Sequence, residues 1–155
     1  MFTSYVLSFV YIGIYWNNHH HLIKAAQRVN GAALWANLHL LFWLSLLPFP
    51  TGWMGENHFA RWPTCLYGAN LLAAALAYSI LQAVLMRLHG PESLLSTAIG
   101  RDVKGKASPI LYLLGIVAAW FYSPLADLAL FVGVALMWLV PDRRIERRMI
   151  AKRDG

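Results

Sequence analysis

Apolar residues in this chain fall in long unbroken blocks, not in the one-face spacing of amphipathic surface helices or the alternation of half-buried strands. Stretches without a formal charge run Met1–Ile23, Val29–Gly55, Trp62–Met86 and Ala107–Ala126, with a shorter one from Leu128 to Pro141. A helix needs about 20 mostly apolar residues to cross the hydrocarbon core of a bilayer. The first four stretches reach that length. The pattern predicts an all-α, polytopic helical membrane protein with five transmembrane helices, at about 2–22, 32–50, 64–88, 109–122 and 124–140. These make a transmembrane domain over 1–141, and 142–155 form a basic cytoplasmic tail.

The last two helices share a segment that is long for one span and short for two. Two features favour a hairpin. Ser123-Pro124 followed by Asp127 reads as a helix start: a Ser cap, Pro in the first helical position, and an acid facing the positive end of the helix dipole. The charge distribution asks for the same thing. The loop after the third helix carries Arg101, Lys104 and Lys106. The tail carries Arg143, Arg144, Arg147, Arg148, Lys152 and Arg153. Both prefer the cytoplasm, so an even number of crossings separates them.

Composition sharpens this picture. The chain is 59% hydrophobic and 13% charged, where an average soluble domain carries about 25% charged residues. A net charge of +6 would suggest nucleic acid in a soluble protein. Here the basic residues sit in loops and tail, where they orient the chain in a membrane. Twelve of the thirteen Lys and Arg fall on one side, and only Arg61 on the other. Trp53, Trp62 and Tyr67 flank the outer ends of the second and third helices, as an aromatic belt does. With five crossings and a cytoplasmic C-terminus, the N-terminus lies outside. Met1 stands directly at the first helix, without the charged region of a signal peptide. A further helix ahead of Met1 would bring both ends to the cytoplasm. Cys65, the single cysteine, has no internal disulfide partner.

Candidate chemistry centres on "YWNNHHHLIKAAQR", Tyr15 to Arg28. Folding the first two helices as a hairpin brings Asn17 to the level of Asn37 and His19 near Trp35. Trp16, Asn17, His19, His20, Trp35, Asn37 and His39 then crowd one region. Buried polar side chains in lipid need partners, so a hydrogen-bonded knot is expected. A metal centre fits less well. Adjacent helical residues point about 100° apart, so the three histidines do not converge on one ion, and no acid or thiol completes a set around His20 and His39.

The remaining polar residues have structural readings. Asp127 reads as a dipole cap in preference to a cation site. Asn70, Ala74 and Tyr78 share one face, suited either to a water path or, more commonly, to helix–helix hydrogen bonding. Tyr5, Ser8, Tyr11, Gly13 and Tyr15 read as packing and interface residues. Pro48 and Pro50 are expected to end the second helix. No phosphate-binding glycine loop and no nucleophile elbow occurs, so an enzyme is not expected.

Two segments carry a family resemblance. "SYVLSFVYIGIYWNNHHHLI" and "LWANLHLLFWLSLLPFPTGWMGE" resemble the second and third transmembrane helices of bacterial members of the transmembrane protein 175 family. The match is most specific over Ser8–His20 and Leu34–Glu56; the later helices agree in hydrophobic layout and in the "LVPDRR" ending. The family consists of potassium channels, with a eukaryotic relative in endosomes and lysosomes. The resemblance implies a six-helix subunit, four copies of which surround a pore lined by the first helix. That helix carries an Arg-x-x-x-Phe-Ser-Asp signature, which does not occur here. Pore-lining residues are therefore expected on a first helix that this sequence lacks, with the seven residues of the knot as its support shell. The expectation is a potassium-selective channel subunit of a bacterial inner membrane, multi-pass and homotetrameric. Potassium is the permeant species, and neither a cofactor nor a nucleic-acid partner is expected. The alternatives are a non-conducting, truncated or modulatory membrane protein, and a small metal or ion transporter using His20, His39 and Asp127.

Overall fold

The computed structural model of the chain describes residues 2–93, 95–96, 103–121 and 124–139, with side chains at these positions except 3, 103–104, 119, 124–128 and 139. Among them every regular element is an α-helix: α1 (Phe2–Ala25), α2 (Gly31–Leu46), α3 (Pro48–Glu56), α4 (Arg61–His89), α5 (Val103–Phe121) and α6 (Pro124–Leu139). The expected Ser123 cap, the Asp127 side chain, Arg101 and the basic tail lie outside the described residues. Two apolar helical stretches, Gly31–Glu56 and Arg61–His89, are long enough to cross a membrane. At 1.5 Å per residue, α4 extends about 43 Å, more than a hydrocarbon core.

Helix ends follow local chemistry. Asn30, in extended conformation, caps α2 by accepting from the Ala33 N–H at 2.9 Å. Asn is among the preferred residues for that position. Pro63 falls in the first turn of α4, where a backbone N–H has no helical partner to lose. Gly90, at φ +81°, closes α4, its N–H reaching Met86 O. That backbone region is open to glycine without a steric penalty.

Pro48 and Pro50 do end the second helix, at Leu46, four residues earlier than the sequence predicts. They break its ladder, and the chain continues as α3 to Glu56. Without an N–H on Pro48, Leu44 O accepts from Leu47 N–H instead, and Leu47 itself keeps right-handed helical angles. Pro48 then serves as the first residue of α3, a position that costs no hydrogen bond. Likewise α5 starts at Val103 and holds Pro109 in its interior, not at its start. Among the described residues other than glycine, His58 (φ 49°) and Phe59 (φ 59°), both in the turn from α3 to α4, are the left-handed ones.

Helix α4 is the hub. One face, with Ala77, Leu81 and Leu85, sits with Ala33, Ala36 and Leu40 of α2 and Leu22 of α1. The other, with Tyr67, Leu71 and Ala75, joins Tyr11, Leu47, Met54, Tyr112, Phe131 and Val134. Tyr67 is fully buried there and does not belong to the aromatic belt predicted for it; Trp53 and Trp62 are exposed. Gly68 explains how closely α4 meets α5 and α6. A Cβ at this position would stand 2.6 Å from Phe131 Cζ and 2.9 Å from Ile116 Cγ1, closer than any side chain tolerates. Small residues at helix crossings give membrane helices this kind of approach.

Candidate functional site

The seven residues of the expected knot divide into one joined pair and an outward-facing set. His19 Nε2–H donates to Asn37 Oδ1 at 2.5 Å, linking α1 to α2. Both residues are half-buried, as is Asn17. Trp16 and His20 are exposed, their rings stacked 5.5 Å apart at 15°. Trp35 is 75% exposed. His39 is exposed too, and its Nε2 accepts from the Trp43 indole N–H at 3.0 Å.

The reason lies in what α2 packs against. Its buried residues, Ala33, Ala36 and Leu40, recur at helical spacing and face α4. Trp35 and His39 lie about 100° of rotation from that seam, so they point outward. Helix α1 packs on α3 and α6. Its exposed stripe of Phe2, Tyr5, Phe9 and Trp16 repeats every three or four residues before Trp16 and is apolar and aromatic throughout. The His19–Asn37 bond thus stands beside an open face that combines large apolar side chains with Trp16, His20, Trp35 and His39.

Sequence reasoning missed a second set of polar residues, inside the bundle. The Tyr11 hydroxyl donates to the Phe131 carbonyl, tying α1 to α6. Thr51 Oγ1–H donates to Leu47 O at 2.6 Å, which leaves Ser8 to donate to Thr51 Oγ1 at 2.5 Å, tying α1 to α3. The Trp138 indole N–H donates to Ser108 Oγ at 2.6 Å, tying α6 to α5. Tyr15 and Tyr78 reach Leu71 O and Asn18 O at a longer 3.4 Å. Around these groups lies a cavity of about 20 Å³, bordered by Tyr15, Asn18, Tyr78, Ser108, Tyr112 and Trp138, room for a single water. The hydroxyls were visible in the sequence as a run of Tyr and Ser on α1. Their partners are carbonyls and residues up to 120 positions away, which spacing within one helix does not reveal.

Two polar groups of α4, Tyr67 Oη and Asn70 Nδ2, are buried without a hydrogen-bond partner among the described residues. Of the face shared by Asn70, Ala74 and Tyr78, Tyr78 makes the expected helix–helix hydrogen bond and the Asn70 amide nitrogen does not. Tyr67 is instead held by ring contacts, edge-on to Tyr11 at 6.3 Å and to Phe131 at 5.6 Å. At the other end of α4, His89 joins the α1–α2 turn, a contact with no motif to announce it. Among the described residues no three of His, Cys, Asp and Glu come together as a metal site.

Comparison with known proteins bears directly on the α1–α2 region. The profile of a family described as endosomal/lysosomal potassium channel TMEM175 matches residues 1–48, the segment that holds the His19–Asn37 pair. Potassium channel HX13_20290 of Chryseobacterium sp. (strain P1-3) is 50% identical over 148 residues, which is 96% of this chain and 77% of that protein. Potassium channel B446_29190 of Streptomyces collinus (strain DSM 40733 / Tue 365) is 32% identical over 84 residues, 52% of this chain and 41% of that one. No solved structure matches the chain. The first relative aligns through α4, α5 and α6 as well as the profile-matched segment, and on that coverage the chain belongs to the TMEM175 potassium channel family.

Proposed function

We propose that this chain is a subunit of a potassium-selective channel that crosses a bacterial cell membrane several times. The observation that carries the reading is the 50% identity with a Chryseobacterium potassium channel over 96% of the chain. Potassium is the permeant species, and the subunit contributes no covalent chemistry. Selectivity in such channels comes from pore diameter and lining groups. The pore lining is assigned to the helix that bears the family's Arg-x-x-x-Phe-Ser-Asp signature, a motif absent from these 155 residues.

Five crossings place the C-terminus in the cytoplasm, because that arrangement puts twelve of the thirteen Lys and Arg on one side. In the assembled homotetramer, Trp16, Asn17, His19, His20, Trp35, Asn37 and His39 form a support shell for the pore helix. The exposure of Trp16, His20, Trp35 and His39 supports this role. Histidines gain nothing from facing lipid tails and are favoured where protein covers them.

The test is ion flux. The protein, expressed from its own genomic reading frame and reconstituted into potassium-loaded liposomes, is expected to release potassium while sodium-loaded liposomes stay tight. Equal release of both ions would remove the selectivity. No release of either would favour a non-conducting, modulatory role.

A further inference from the structure

We propose that His89 is an acid-released latch between the α1–α2 turn and the end of α4. Two backbone N–H groups, those of Gln27 and Arg28, converge on the same atom, His89 Nε2, each at 3.0 Å. The other ring nitrogen, Nδ1, lies 2.8 Å from Leu85 O. A carbonyl only accepts, so Nδ1 carries the proton and Nε2 presents its lone pair. The imidazole is thereby held as a defined neutral tautomer that acts as a double acceptor. A proton taken from solvent onto Nε2 would occupy that lone pair and set a third N–H against two others. Protonation and the contact exclude each other.

The surroundings let the proton arrive. His89 borders an open crevice of about 460 Å³, with Ala25, Gln27, Arg28, Glu92 and Ser93. Among the described residues, Arg28 and Glu92 are the charged groups at the crevice. Lys24 stands in the last turn of α1 and Arg87 in that of α4, both exposed. The sign of the effect rests on the two N–H donors. Their contribution is present while Nε2 keeps its lone pair and is lost when a proton occupies it. Release frees the turn that joins α1 to α2 from the hub helix. The inference does not depend on the channel reading, and its readout is not conduction.

Amide hydrogen exchange in lipid nanodiscs, resolved to single residues and corrected for intrinsic rates, tests it. In the wild type, exchange at Gln27 and Arg28 should rise roughly tenfold between about pH 8 and about pH 5, where histidines change charge, while mid-α1 amides stay constant. His89→Gln, whose amide oxygen still accepts but does not titrate, should abolish the acid-dependent rise. His89→Phe should exchange fast at both pH values. Wild-type protection that is flat across this interval overturns the latch, whether or not either variant folds. So does an acid-dependent rise that persists in His89→Phe.

Discussion

Hydrogen bonds between two side chains in a largely apolar bundle make strong, asymmetric demands on each partner. His19 and Asn37 meet at 2.5 Å between α1 and α2. Removing one partner strands the other, at about 1–3 kcal/mol, whereas replacing both with apolar groups can be nearly neutral. Asn37→Leu should therefore lower stability in detergent more than the double variant His19→Leu/Asn37→Leu, and a double-mutant cycle read by thermal unfolding checks it. Tyr11→Phe should cost about 1–3 kcal/mol by the same measurement, because the Phe131 carbonyl it serves is buried with it. The sequence made the region legible, since Asn and His stand out in an apolar run, but it set Asn17 against Asn37 and His19 near Trp35, where the structure joins His19 to Asn37. It did not separate this pair from Trp35 and His39. That distinction depends on which helix α2 packs against, and the small residues Ala33 and Ala36, which mark the seam with α4, were the available signal.

Helices obey their own steric rules, and here these concern crossings and turns. Gly68 sits where α4 meets Phe131 and Ile116. Phe131 is fully buried and has nowhere to retreat. Gly68→Ala should destabilise the bundle by about 1–3 kcal/mol, the usual cost of overpacking, read as a lower unfolding temperature. His58 is exposed and left-handed in the α3–α4 turn. His58→Gly should stabilise by about 1 kcal/mol, since a side chain in that conformation carries a penalty that glycine does not. The all-helical class was legible from the apolar blocks alone. Details at proline were legible in part: Pro48 and Pro50 stop α2 as expected, but neighbouring backbone re-pairs through Leu44 O and the chain restarts at once as α3. Proline position sets where a ladder breaks, while packing of Leu47 and Met54 into the core decides whether the helix resumes.

At the scale of the whole molecule, an aromatic and histidine-bearing open face and an interior cross-linked by hydroxyls combine in a member of a potassium channel family. Selective conduction is read most directly from the reversal potential of the protein in a planar bilayer, with potassium chloride on one side and sodium chloride on the other. A steady current that reverses close to the potassium equilibrium potential is expected. A current that reverses at zero under these conditions, or a bilayer that stays silent with the protein demonstrably inserted, would contradict selective conduction.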